Sequence, residues 1–266
     1  MSECPPQLYN RIVPLVKNSG MHNHLALVYE VLEGRRPGEV FVDSLPDPQT
    51  ALICNANGFY FGFGRPDRKL VRPLVEKFWK QNLGLNYATL FGSTPDWKIL
   101  LKSIAPPESL PEARLGFEQR HPAPQPVIPA GLSLAPISAH LAQSILDGSG
   151  TAGFGIDPWF IRVAGGPAAY AADGLGLALL VGEQIVSLCG VCGLGGGEAE
   201  MEVGTVLAYR GRGLAPIVCA AFMDQAKSRG ILPAYTCSSD NLASKTVAHK
   251  LGFVEHEEIH GYRLFK

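Results

Sequence analysis

Between Glu198 and Gly230 the sequence reads EAEMEVGTVLAYRGRGLAPIVCAAFMDQAKSRG. No other stretch limits the fold as much. Residues 198–205 have the composition of a strand, and Arg210-Gly211-Arg212-Gly213-Leu214-Ala215 follows a few residues on. A helical repeat then begins at once. Leu214, Ile217, Val218, Ala221, Phe222 and Ala226 form an apolar stripe, while Asp224, Lys227 and Arg229 face away. Gly230 is placed to stop the helix.

The turn between strand and helix has a chemical use. Gly211 and Gly213 remove Cβ atoms where backbone approaches a ligand. A helix's first turn leaves N–H groups without partners, and the macrodipole adds partial positive charge there. Arg210 and Arg212 add full charges. Pro216 lies in the first turn, where its missing N–H costs nothing. Together these make a seat for phosphate oxygens. Taken alone, the same residues also fit an ordinary basic β–α turn.

The flanking segments predict the rest of a domain. Gly174–Val181 and Gln184–Leu194 read as strands joined at Gly182-Glu183, with a second turn at Gly195-Gly196-Gly197. Leu134–Leu146 reads as a helix and Pro158–Val163 as a strand. Downstream come a strand over Pro233–Cys237, a helix over Asn241–Leu251 and two last strands over Phe253–Phe265. Antiparallel strands followed by strand, helix, strand and helix predict a mixed α/β fold. Its sheet is largely antiparallel and flanked by helices.

Pro122, Pro124, Pro126 and Pro129 favour extended backbone and supply few donors. They mark residues 121–131 as a linker or a strap lying across the surface. It divides the 266 residues into an N-terminal α/β domain over 1–120 and a second domain over 132–266. In the first, residues 50–64 read as a hairpin closed by a type I′ turn at Asn57-Gly58. Lys69–Leu83 reads as a helix stopped by Gly84, Asn86–Phe91 as a strand, and Thr94-Pro95-Asp96 as the opening of a helix to Ile104. Arg114–Gln119 reads as a final strand.

Lys+Arg is 23 and Asp+Glu is 24, so no bulk charge favours nucleic acid or an anionic membrane. No segment reads as a membrane span or a secretory signal. Six cysteines are sparse for this length, which predicts free thiols in the cytoplasm. Cys189 and Cys192, three apart on a strand, point to opposite faces and suit packing better than zinc. His22 and His24 lack a third ligand nearby and suit a surface or turn, so no metal site is expected. Residues 148–153 match G-x-G-x-x-G, but the strand before and helix after that a dinucleotide site needs are missing. No P-loop motif occurs.

Arg210–Ala215 resembles the R/Q-x-x-G-x-G/A pyrophosphate loop of the GNAT N-acetyltransferase superfamily. Asn241-Leu-Ala-Ser244 through Lys250-Leu251-Gly252-Phe253 resembles that superfamily's later N-x-x-[AS]…K-L-G-F helix, and the spacing between the two agrees. The wording T-V-L-A-Y-R-G-R-G-L-A is similar to a subfamily with an extra N-terminal domain. The N-terminal half here is similar in pattern to a divergent half of the same kind.

The resemblance implies a GNAT-like sheet whose two central strands splay around the pantetheine of acetyl-CoA, a cosubstrate. Val206 and Leu207 would border the pantetheine through backbone groups. Arg210, Gly211, Arg212, Gly213, Leu214 and Ala215 would wrap the pyrophosphate, and Asn241 and Ser244 would reach the cofactor from the later helix. Asn241 also suits an N-cap. The acceptor would be an amine, on a small molecule or a protein.

Acyl transfer needs a neutral amine, and therefore a base. Glu200 and Glu202 lie two apart on one strand and share a face, with Glu200 the first choice. The alternative is that they are solvent-facing strand residues. A backbone N–H near Val206 would stabilise the oxyanion. Many members carry a tyrosine seven residues after the asparagine as general acid, but Ala248 stands there and His249 points about 100° away. That departure and the extra N-terminal half keep open a CoA-binding sensor without catalysis, and the loop itself would also suit a protein for a nucleotide or another phosphate ligand.

Overall fold

The computed structural model describes residues 2–80, 87–149 and 158–265. The chain forms two compact units. One contains Met1–Gly116, Ser238–Asp240 and Glu257–Lys266, and the other Phe117–Cys237 and Asn241–His256. The units are therefore not contiguous blocks of sequence.

In the first unit β1 (Ser2–Glu3) is followed by the helices α1 (Val13–Lys17) and α2 (Leu25–Leu32). Strands β2 (Gly38–Val42), β3 (Thr50–Asn55) and β4 (Phe59–Gly64) come next. Helix α3 (Arg68–Lys80) crosses to β5 (Tyr87–Gly92), and α4 (Pro95–Ile104) precedes β6 (Leu110–Gln119). Thr94 caps α4 by accepting from the Trp97 N–H, as its sequence predicts. Strands β2, β3 and β4 pair antiparallel, whereas β4 and β5 pair parallel. A parallel neighbour needs a crossover, and α3 supplies it. Both faces of this sheet are covered, so β3 is buried at every position. Ile53, Phe61 and Phe91 pack towards Val28 and Val31 of α2. Leu52, Tyr60 and Leu90 pack towards Val71 and Leu74 of α3 and Trp97 and Leu101 of α4.

The second unit repeats this order. Strand β7 (Ser133–Pro136) and helices α5 (Ala139–Asp147), α6 (Trp159–Val163) and α7 (Pro167–Asp173) open it. Strands β8 (Gly176–Val181), β9 (Gln184–Gly195) and β10 (Glu198–Thr205) run antiparallel. Helix α8 (Leu214–Ser228) then crosses to β11 (Leu232–Ser238), parallel to β10, and α9 (Leu242–Lys250) follows. Strand β12 (Phe253–Phe265) begins in the second unit and ends in the first, where it pairs antiparallel with β5. Among the described residues, no helix is long and apolar enough to cross a membrane.

Several sequence expectations are corrected. Pro158–Val163 is not a strand. Phe160, Ile161 and Ala164 are buried at helical spacing, and this packing overrides the β preference of the individual residues. Leu134–Leu146 is not one helix: Ser133–Pro136 pairs with β8, and the helix starts only after Ser138, whose hydroxyl accepts from the Leu141 N–H. Phe253–Phe265 is one strand, not two.

The 50–64 hairpin forms, but its turn is not type I′. Asn57 keeps a negative φ, and Gly58 alone is left-handed, with φ 86°. The Gly58 N–H donates to the Asn55 carbonyl at 3.1 Å, and the Asn57 side chain accepts from the Phe59 N–H. His22 is exposed, and His24 lies in the turn before α2 with φ 58° but is not at the surface. It is 2 % exposed, its ring packs against Phe59, Phe61 and Phe91, and its Nε2 accepts from Arg114 Nε at 3.1 Å. Gly84 and residues 81–83 and 86, and residues 150–153 of the G-x-G-x-x-G match, lie outside the described residues.

Candidate active site

Strand β10 is paired with β9 along its whole length. Its parallel pairing with β11 covers only Glu198–Leu232, Ala199–Pro233 and Glu200–Ala234, although β10 runs on to Thr205 and β11 to Ser238. Beyond Glu200 the two strands part and leave a fork. Its start coincides with a bulge, where β9 contributes the extra residue Cys192 between partners of Glu200 and Met201. A bulge bends and twists its strand pair locally.

The fork presents backbone groups. The Val206 N–H donates to the Val186 carbonyl at 2.9 Å, so it faces β9. Ladder groups alternate between the two edges of a strand. The amides of Val203 and Thr205 therefore face the open side, and Val206 does not. The sequence reading put an oxyanion donor near Val206; the Val206 amide itself is engaged with β9, while the neighbouring Thr205 amide faces the open side. Leu207 lies in the next turn and is 68 % exposed.

Helix α8 starts at the fork's open end. Its N-cap Gly213 has φ 76° and gives no side-chain cap, so the first-turn N–H groups keep no side-chain partner. Gly211 also has φ 76°, and a Cβ at either glycine would have no atom within 4 Å. Glycine is required there by backbone conformation, and the space over the turn is open. Arg210 Nε donates to the Thr205 carbonyl at 3.1 Å, and Arg212 donates to the Ala208 carbonyl while stacking 4.9 Å from the Tyr209 ring centroid. Both cations are thus fixed beside the turn. Leu214 is buried and Ala215 half-buried.

Glu200 sits at the throat. It is 3 % exposed and accepts a hydrogen bond from the Thr236 hydroxyl of β11, which excludes the solvent-facing alternative. Glu202 is half-buried, one pleat further along the same face. Glu198 shares that face too. Burial and the charge of Glu200 push its carboxyl up to about 7. Sequence reasoning passed over Glu198, although the alternation E-A-E-M-E contains it.

Helix α9 closes the site's other side. Asn241 is its N-cap, with Oδ1 accepting from the Ser244 N–H at 3.0 Å. Ser244 Oγ lies 2.9 Å from the Tyr235 hydroxyl, which also donates to the Ser244 carbonyl. Ser244 therefore anchors a buried tyrosine that sequence reasoning missed, and burial drives that phenol's pKa far up. Ala248 is fully buried, and His249 faces outward near Glu255. Cys189 is buried and Cys192, the extra residue of the bulge, is half-buried; no group of metal-ligating side chains occurs among the described residues.

The first unit contains the same crossover in closed form. There β4 and β5 stay paired to Gly62–Gly92, the last residue of β5. The Trp97 ring lies over Gly62 and its Cβ over Gly92, and its Nε1 donates to the Gly64 carbonyl at 2.8 Å. The start of α3 is capped by Asp67, whose carboxylate accepts from the Lys69 N–H at 2.8 Å. A carboxylate thus occupies the position that is bare on α8.

A family model for the GNAT acetyltransferases matches residues 18–262. The chain belongs to that family. It is 28 % identical over 229 residues to the uncharacterized N-acetyltransferase YdfB of Bacillus subtilis (strain 168), covering 85 % of each chain. It is also similar to the crystal structure of a GCN5-related N-acetyltransferase-like protein from Streptococcus suis 89/1591, with TM-score 0.74, 20 % identity and coverage of 98 % and 99 %. A tandem GNAT protein from the clavulanic acid biosynthesis pathway matches at TM-score 0.59 and 12 % identity, over 98 % and 96 % of the two chains. This GNAT protein is accordingly an N-acetyltransferase, with its open fork in the second unit.

Proposed function

We propose that the second unit transfers the acetyl group of acetyl-CoA to an amine by direct attack. The observation that carries this reading is the β10–β11 fork with the uncapped start of α8 at its open end. The residues fit the cosubstrate. The amides around Gly213–Ala215 and the charges of Arg210 and Arg212 suit a pyrophosphate. The open edge at Val203 and Thr205 suits the amides of pantetheine, and Asn241 keeps its Nδ2 group for a contact while Oδ1 caps α9.

Glu200 and Glu202 act as proton acceptors for the incoming ammonium group. The freed amine nitrogen bonds to the thioester carbonyl carbon, the C–S bond breaks, and sulfur leaves with the electron pair. The amine's remaining extra proton passes to a carboxylate, and sulfur takes a proton from solvent. The amides at the fork's throat, rather than Val206, stabilise the oxyanion. All six cysteines are free, in keeping with a cytoplasmic protein.

Isothermal titration with acetyl-CoA tests the site. Gly213→Glu places bulk and negative charge on the phosphate seat and should abolish binding. Ala215→Glu is the control for folding, because a carboxylate in a helix's first turn stabilises the helix. It should melt no lower than wild type yet weaken acetyl-CoA at least about tenfold, the price of roughly 1.4 kcal/mol. Unchanged affinity in both folded variants would falsify the placement. The burial of Ala248, where a general acid is expected, favours a second reading as a CoA sensor. Acetyl-CoA binding without thiol release on any primary amine would support the sensor.

A further inference from the structure

Gly176 of β8, Gly190 of β9 and Glu202 of β10 form one lateral row, each residue in register with the next. Residues opposite one another present their side chains on the same face, with strands about 4.8 Å apart. Two glycines in a row leave a notch beside Glu202. Tyr170 of α7 fills it: a Cβ on Gly190 would collide with the Tyr170 hydroxyl, and one on Gly176 would lie 3.1 Å from it. Gly190 does not have a positive φ, so its backbone would accept any residue. Glycine there makes room for the phenol.

The hydroxyl is in an unusual position. Tyr170 is 1 % exposed, its ring packs edge-on to Phe160, and its Oη has the Val191 amide near it but no acceptor for its own proton among the described residues. Burial pushes its pKa well above 10, against the Val191 amide, which acts the other way. The phenol is therefore a proton donor at every physiological pH. Phenylalanine would fill the same volume without burying an unsatisfied polar atom. The hydroxyl stands where a side chain of Gly190 would stand, one strand spacing from Glu202 on the β9 side of β10, across that strand from the fork.

We propose that Tyr170 is a positioning residue for Glu202: its phenol donates a hydrogen bond to the ionised Glu202 carboxylate in the cofactor-bound protein and aims it at the fork. This rests on the acetyltransferase reading of that fork. Donation to the ionised form lowers a carboxyl's pKa. The titratable groups that face the pair are Cys189, Cys192 and Asp173 around the phenol and Glu200 and Glu198 along β10.

The test uses full-length protein saturated with CoA and 13C-labelled at glutamate carboxyls, with Glu202 assigned by its loss in Glu202→Gln. Tyr170→Phe should raise the Glu202 midpoint by roughly half a unit or more, and 3-fluorotyrosine at 170, a stronger donor, should lower it. Thiol release from acetyl-CoA with putrescine, lysine and a lysine peptide should then fall about tenfold in Tyr170→Phe. Its acid limb should move upward, with KM for acetyl-CoA unchanged. A merely structural tyrosine would move neither the midpoint nor the limb, and an unmoved midpoint in both variants overturns the proposal. A wild-type protein that binds no CoA overturns the fork's reading instead, and this proposal with it.

Discussion

Glu198 and Glu200 show how two like carboxylates on one strand divide their properties. Glu200 is the more buried, yet the Thr236 hydroxyl supports it. Glu198 has Glu200's charge beside it, and its carboxyl rises from 4.5 to about 7. A carboxyl raised by folding favours the protonated native state. Its stability contribution is full below about 4.5 and is lost as pH rises through about 7. Glu198→Gln should flatten stability across that window and gain roughly 1 kcal/mol at pH 8, after allowing for partial solvent screening. Urea melts at pH 5 and pH 8 would show it. Equal losses between the two pH values in variant and wild type would contradict the pairing. That Glu200 and Glu202 share one face of a strand was legible in the sequence from the alternation. The raised carboxyl of Glu198, and the notch that admits Tyr170, depend on neighbouring strands and could not be read from β10 or α7 alone.

At the scale of the element, one crossover appears twice, once open and once closed. The β10–α8–β11 unit was readable because its turn residues and its helical stripe are local signals. The burial of α8 is wider than the stripe: Cys219, Ala220 and Met223 are buried as well, so the helix is covered on more than one side. The β4–α3–β5 unit has no such local motif, and its closure depends on Trp97 reaching Gly62, Gly92 and Gly64 from a different helix. Trp97→Ala should therefore cost about 3–5 kcal/mol by denaturant unfolding, as expected for a large core side chain. Acetyl-CoA affinity of the folded variant should not change. A weakened affinity at preserved fold would mean that the first unit takes part in cofactor binding. Errors of element type fell where local preference and packing disagree, as at Trp159–Val163, whose β-prone residues form a helix because Phe160, Ile161 and Ala164 share a buried side.

For the whole molecule, two units with one element order and, among the described residues, a single open fork predict about one acetyl-CoA per chain in a calorimetric titration. Two equivalents would require the β4–β5 pair to open. The Pro-rich stretch 121–131 lies inside the second unit, whose first segment already begins at Phe117. It gave no sign that the first unit also takes Glu257–Lys266. That return is long-range, and nothing near β5 announces its partner. It has a consequence for synthesis. Strand β5 waits for residues 261–265 to leave the ribosome before it acquires its antiparallel neighbour. The part of the protein made first is thus completed last, and nascent chains stalled anywhere before Gly261 should expose that edge to chaperones.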